Sequence, residues 1–348
     1  MQVNELTHDP TGEASTRTAA EPDLAADPAA NGALRVEFRR IAPASMPPGL
    51  LAAVRFGPAT ADKHVSDGPL RIDVGLTPLA ATADTELWWA TGPVVHGSHG
   101  AIRYAHDDRR LIAILELDER EHGGITGAAA AAYTQMRRFQ QQSSFPHLLR
   151  IWNYLDAINK GAGDLERYRE FCVGRTHGLG NAAAASYPAA TGIGHQHPTH
   201  RLQVYWLAGR APGKSIENPR QVSAYRYPRD HGPASPTFAR ATLATDGSLL
   251  ISGTASIVGH VSQHGGDPLA QLDETLRNLA AVNERADALR AAHSRPTDLF
   301  KVYLRDPACL DTVAKKLQQA FPRSTAIYLA ADICRRELLL EIECLRLP

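Results

Sequence analysis

In residues 331–344, ADICRRELLLEIEC, apolar and polar positions alternate with the period of two of a strand. Leu338, Leu340, Ile342 and Cys344 fall on one face, and Glu337, Leu339, Glu341 and Glu343 on the other. The usual meaning of such a pattern is a sheet with one solvent face. The alternative is that a glutamate on that face points into a pocket as a proton donor. Upstream, RLQVYWLA (201–208), QVSAYRY (221–227) and SLLISGTASIV (248–258) read as strands. A helix follows, capped by Asp267 with Pro268 in its first turn, and Leu269, Leu272, Leu276 and Leu279 recur at helical spacing. Then come the strand LFKVYLR (299–305), a second helix opened by Asp306-Pro307, and the strands TAIYLAA and ELLLEIEC.

The first half repeats this order in weaker form. RLIAILELDE (110–119) stands where SLLISGTASI stands, a helix follows over 128–142, and HLLRIWNYL (147–155) stands where LFKVYLR stands. A short helix, DLERYREFC (164–172), comes next. Strand–helix–strand–helix twice over predicts an α+β fold of two similar halves, each a mixed sheet with helices packed on one face. The division drawn from this pattern is a disordered tail over 1–33, an N-terminal half over 34–190 and a C-terminal half over 191–348. The tail is rich in Ala, Pro, Asp and Glu, with Arg17 its only strong base, which excludes a transit peptide.

Charge and cysteine content narrow the classes further. Lys plus Arg and Asp plus Glu both number 37, so the net charge is zero, and neither a nucleic-acid partner nor an anionic membrane is expected. No apolar run is long enough to span a bilayer. Cys172, Cys309, Cys334 and Cys344 form no CxxC pair, and so few cysteines in a long chain point to reduced thiols and the cytoplasm.

TGIGHQ lacks the third glycine of a dinucleotide fingerprint, and His195, His197 and His200 in HQHPTH match no established metal-ligand spacing. No cofactor and no metal are expected. Arg175, Tyr187, Tyr205, Arg226 and Arg240 stand in dense glycine- or aromatic-rich contexts. Singly, each reads as a surface residue or a structural clamp. Together they point to a pocket for a small anion, since guanidinium groups bind carboxylates in a planar, two-pronged way.

The runs YPAATGIGH, APGKSIENPRQVSAYRYPRDHGPASPTFARA, LLISGTASIVGH and ADICRRELLLEIE together resemble the chorismatases. The resemblance runs from about Arg150 to the end, with weaker likeness back to about residue 35. It implies two fused halves of the Rid/YjgF-like (chorismate-mutase-like) type. It also implies cleavage of chorismate with release of pyruvate, without cofactor. Glu341 falls on the family's catalytic glutamate, with Glu343 second. The resemblance makes Arg175 and Arg240 binders of the substrate's carboxylates, gives Arg226 a weaker claim, and makes Tyr187 and Tyr205 hydrogen-bonding walls. Benzoate-forming members have cysteine where this chain has Cys334, and the branch making only 3-hydroxybenzoate has glycine where this chain has Ala241. The implied product is therefore 3-hydroxybenzoate with some 4-hydroxybenzoate. The hydrolytic branch, giving a dihydroxycyclohexadiene carboxylate, is the alternative. Outside that chemistry the alternative is a Rid-type imine deaminase or a metabolite-binding relative; LAADIC lacks the arginine that Rid deaminases carry before the closing turn. The implied assembly is either a trimer or a monomer whose fused halves do internally what trimers do between chains.

Overall fold

The computed structural model describes residues 32–41, 46–58, 69–180, 184–290 and 296–348, so the tail expected over 1–33 lies outside them but for its last two residues. The chain opens with strands β1 (Val36–Arg39), β2 (Leu50–Phe56), β3 (Leu70–Val74), β4 (Thr77–Pro78) and β5 (Thr85–Trp89). β1, β5, β2 and β3, in that order, form a four-stranded sheet that no element of the sequence reading anticipated. Then come β6 (Val95–His99), β7 (Ile102–His106), β8 (Arg110–Asp118), helix α1 (Ile125–Gln142), β9 (His147–Asp156), α2 (Arg167–Leu179), β10 (Ala189–His195) and β11 (Arg201–Gly209). The C-terminal part holds β12 (Lys214–Ile216), β13 (Ala241–Leu243), β14 (Leu249–Thr254), β15 (Ile257–Val258), β16 (Val261–Ser262) and α3 (Pro268–Asp287). It ends with β17 (Thr297–Leu304), α4 (Leu310–Ala320), β18 (Thr325–Ala330), β19 (Asp332–Ile333) and β20 (Leu340–Leu347).

The fold is α+β, and the repeat is visible in the two seven-stranded mixed sheets. The first contains the order β7-β8-β11-β9-β10 and the second β13-β14-β20-β17-β18. In each, a hairpin leads to a helix, then to a strand paired in parallel with the strand after the next helix, while the last long strand inserts between hairpin and crossover. The boundary at 190/191 falls inside β10, because β10 and β11 complete the first sheet. Strand exchange ties the halves together: β4 joins the second sheet and β19 the first.

Each sheet carries its helices on one face. Leu340, Ile342 and Cys344 pack towards the second helix layer with Leu272, Leu279 and Val282 of α3. The opposite faces of both sheets meet in a central core, where Trp152 and Tyr205 join Tyr303 and Leu345. The glutamate face of β20 is therefore not a solvent face. Glu341 and Glu343 are 4% and 3% exposed, sealed between the sheets.

Local signals account for most elements. The Asp267 side chain accepts from the backbone N–H groups of Leu269 and Ala270, as an N-cap should. The helix expected over 164–172 instead runs Arg167–Leu179, and its glycines serve packing. A Cβ on Gly174 would lie 2.1 Å from the Thr126 carbonyl oxygen, so only glycine lets α2 press on α1. QVSAYRY is not a strand: between Pro219 and Pro228 it forms a loop with a 3₁₀ turn over Ala224–Arg226, since prolines cannot donate to a ladder. No helix among the described residues is long and apolar enough to cross a membrane.

Candidate active site

The site lies at the seam between the two sheets. The register of β14 against β20 breaks between Ile251 and Thr254, beside Glu341. The freed backbone is caught by the other half: Gly253 N–H donates to Thr191 Oγ1 at 2.9 Å, and Ala190 N–H to Ser252 Oγ at 2.9 Å. This bridge between β14 and β10 floors a cavity of about 390 Å³. Glu341, Gly253, Thr191, Arg175, Arg240 and Cys334 line it, and Tyr168, Phe171, Phe238 and Ile257 supply apolar wall.

Glu341 is the only carboxyl of the cavity that is fully enclosed; the lining carboxylates Asp230 and Glu337 are exposed and Glu166 is half-buried. Burial, reinforced by the neighbouring Glu343 charge, pushes the Glu341 carboxyl up to about 8, against the opposing pull of Arg150 and Arg240. At neutral pH it holds its proton.

Arg175 and Arg240 face this acid from α2 and from the residue before β13. Both are nearly fully buried. Arg175 donates to the Thr237 carbonyl at 3.0 Å and stacks over Tyr133. Arg240 donates to the Val222 carbonyl and to Tyr227 Oη, both at 2.8 Å, between the rings of Tyr227 and Phe238. Neither has a carboxylate partner among the described residues, and the Nε of each is buried without a hydrogen bond. Two oriented guanidinium groups without an ion-pair partner, Arg240 having only the nearby Glu217 carboxyl among the described residues to offset its charge, make a receptor for an anion beside a neutral acid.

The cavity mouth adds Arg335 and His231, which the sequence reading missed. Arg335 donates to the His260 carbonyl and to Ser262 Oγ, and the rings of His231 and His260 share a hydrogen bond of 3.0 Å. Burial, with Arg335 close by, holds the His231 imidazole down at about 4, so it is neutral. Burial likewise holds the Cys334 thiol protonated. Cys334 is packed with Ala255, Ile257, Ile333 and Leu338.

Beneath the floor lies a charge network. Glu343 accepts from Arg150 Nη2 (2.8 Å), Trp152 Nε1 (2.8 Å) and Thr191 Oγ1 (2.6 Å), and pairs with Lys301 Nζ at 2.5 Å. Lys301 also pairs with Glu86 at 2.5 Å. Arg150 and Lys301 stand at equivalent places of the two repeats, opposite Leu207 and Glu343.

The structure does not bring every expected residue into the cavity. Tyr205 stands in the first repeat where Glu341 stands in the second, opposite Trp152 as Glu341 is opposite Tyr303. Its hydroxyl accepts from Lys301 Nζ at 3.2 Å in the network, so it is no cavity wall. Tyr187 is half-buried against Tyr225, and Arg226 is exposed over the same ring. Ala241 is sealed in the second helix-layer core, directly after Arg240. The histidines of HQHPTH disperse: His195 is buried against the Gly75 carbonyl, while His197 is exposed. Among the described residues no three His, Cys, Asp or Glu side chains form a group able to hold a metal.

The chain is similar to known proteins. Residues 86–208 match the family model described as chorismatase FkbO/Hyg5-like, N-terminal. A chorismatase of Streptomyces hygroscopicus is 37% identical over 306 residues, 84% of this chain and 88% of that protein. A 3-hydroxybenzoate synthase from the same organism is 34% identical over 312 residues, covering 84% and 90%. The crystal structure of a chorismatase superposes with a TM-score of 0.78 at 33% identity, covering 90% of this chain and 98% of that one.

Proposed function

The chain belongs to the chorismatase family, and from that premise we propose that it cleaves chorismate to pyruvate and hydroxybenzoate, with Glu341 as the general acid. The observation that carries this reading is a carboxyl that is neutral at pH 7, enclosed in a cavity with two guanidinium groups that lack carboxylate partners.

Chorismate is a dianion, and Arg175 and Arg240 supply the matching charge. Its enol ether is inert until a proton reaches the methylene carbon. An acid with its pKa near the working pH serves that step best. The Glu341 proton goes to the methylene, and the positive charge appears on the adjacent ether carbon. The carboxylate left behind then faces that cation, and the arginines keep the substrate's carboxylates in place.

The fate of the cation fixes the product. When the substrate's own 4-hydroxyl adds to it and loses its proton, a cyclic ketal forms. The ring C4–O bond then breaks, the C3 hydrogen leaves as a proton, and the ketal carbon releases the reprotonated C3 oxygen, so pyruvate departs with the former 4-oxygen and 3-hydroxybenzoate remains, with no net water consumed. When instead the ring C3–O bond breaks and the C4 hydrogen leaves as a proton, pyruvate keeps the enolpyruvyl oxygen and 4-hydroxybenzoate remains. When water takes the cation, the diene diol results. We assign to this chain the 3-hydroxybenzoate route with some 4-hydroxybenzoate. Cys334 lies at the cavity wall as a neutral, half-buried thiol and excludes water there; Ala241 acts from behind Arg240. The test is to mix purified protein with chorismate, without metal or nucleotide, and identify the aromatic product by chromatography. Hydroxybenzoate and pyruvate in equal amounts support the assignment. The diene diol alone moves the protein to the hydrolytic route, and no turnover rejects the reading.

A further inference from the structure

Glu341 and Glu343 are two residues apart on one face of β20, and both are nearly fully buried. Their surroundings differ. Glu343 is held by donors from three strands: Arg150 and Trp152 on β9, Thr191 on β10 and Lys301 on β17. A carboxylate with that many donors is ionised at any working pH. Glu86, reaching in from β5, shares Lys301 and takes the Trp88 indole N–H at 3.0 Å, so two carboxylates face two cations. Tyr205 donates nothing to either carboxylate; its hydroxyl meets Lys301 and its ring lies flat on Trp152 at 4.6 Å.

The groups around Glu341 are charged with the opposite sign. Arg240 and Arg175 face it across the cavity and Arg335 lies at the mouth, while Arg150 acts from below. His231 is neutral, and burial holds Tyr168 and Cys334 in their neutral forms. The carboxylates Asp230 and Glu337 are open to water, and Glu166 is paired with Arg169. Left to the guanidinium groups alone, Glu341 would be drawn towards its ionised form and would have no proton to give. Glu343 is the enclosed anion on its own strand face that opposes them.

Resting on the assignment of Glu341 as the acid, we propose that Glu343 is a positioning residue for the reaction: clamped as a permanent anion by Lys301 and Arg150, it keeps the proton on Glu341 between turnovers. Thr191 couples the two sites mechanically. Its hydroxyl donates to Glu343 while accepting from Gly253 N–H, and Gly253 is the residue against which the Glu341 carboxyl lies. The signs follow from this layout. Removing the Glu343 charge leaves Arg150 without its anion and favours ionised Glu341. Removing the Arg150 charge does the reverse.

The experiment compares wild type with Glu343→Gln, Arg150→Met and the charge-balanced double variant. One readout is the infrared carboxyl stretch lost in Glu341→Gln, titrated with pH; the other is the pH dependence of kcat/KM for pyruvate release from chorismate. The expected result is a midpoint at least one pH unit lower in Glu343→Gln, higher in Arg150→Met, and near wild type in the double variant. Slower variants with unmoved midpoints overturn the proposal, because a purely structural role lowers rate without moving the titration. If Glu343→Gln does not fold, Arg150→Met and the double variant decide, by the same rule. A carboxyl that shifts as expected in a protein that leaves chorismate untouched would reject the assigned reaction and keep this electrostatic arrangement.

Discussion

The Glu341 carboxyl occupies the space that a side chain at residue 253 would need: a Cβ built on Gly253 would fall 1.8 Å from Glu341 Oε1. The acid is thus seated by a missing side chain as much as by its neighbours. Since the colliding atoms are the far end of a flexible side chain, Gly253→Ala should fold, with the carboxyl displaced. A shift of about 1 Å at a reacting group costs on the order of 10²-fold. Steady-state kinetics should show kcat reduced by about that factor with a melting temperature near that of wild type. An unchanged kcat would show that the seat has no importance.

Arg240 is fixed by two acceptors and two rings, and a lysine can reproduce neither the fork nor the stack. Losing a charge-assisted contact costs about 1.5–3 kcal/mol. Arg240→Lys should raise KM for chorismate about 10- to 100-fold, with a smaller change in kcat. Unaltered KM would remove Arg240 from substrate binding.

Cys334 is packed against Ala255, Ile257, Ile333 and Leu338 at the cavity wall. Cys334→Val puts a branched, bulkier group there, which crowds the ring out of the position in which its 4-hydroxyl meets the cation and leaves the cation to water. Chromatography of the products should show a rising share of diene diol. A product ratio identical to wild type contradicts the steering role.

Lys301 serves Glu86 and Glu343 together, deep in the central core. Removing one partner of a buried ion pair costs about 3–5 kcal/mol, because the other charge stays buried and unmatched. Lys301→Met should therefore lower unfolding free energy by about that amount in urea titration. A loss below about 1 kcal/mol would mean that the network adds nothing to stability.

What could be read along the chain and what could not divide on physical lines. Period-two and helical patterns depend on near neighbours, so α3 with its Asp267 cap, the strands 299–305 and 110–119, and their repetition were all legible. The glutamate face of β20 was legible as a face, but its environment was not. Whether that face meets water depends on the first sheet closing over it, a contact between residues well over a hundred positions apart. Arg150 and Lys301 read along the chain as members of apolar strands. Their signal was a single cation at the same place in LLRIW and LFKVY, which a strand core tolerates only when a carboxylate awaits it. The aromatic-rich strand of Tyr205 looks like a pocket wall, whereas the repeat puts Tyr205 in the first half's version of the Glu341 position. The strands before residue 100 are short and split by turns, and their pattern gave too little to read.

The central claim is that Glu341 donates its proton to carbon from an enclosed, neutral state. The direct measurement is kcat/KM for pyruvate release from chorismate between pH 6 and 9.5, for wild type and Glu341→Gln. With the acid protonated below about 8, wild type should be flat at the lower end and fall tenfold per pH unit above that point. Glu341→Gln should bind chorismate and release no pyruvate at any pH. A wild-type rate that holds or climbs through pH 9, or turnover by the glutamine variant, would contradict the account.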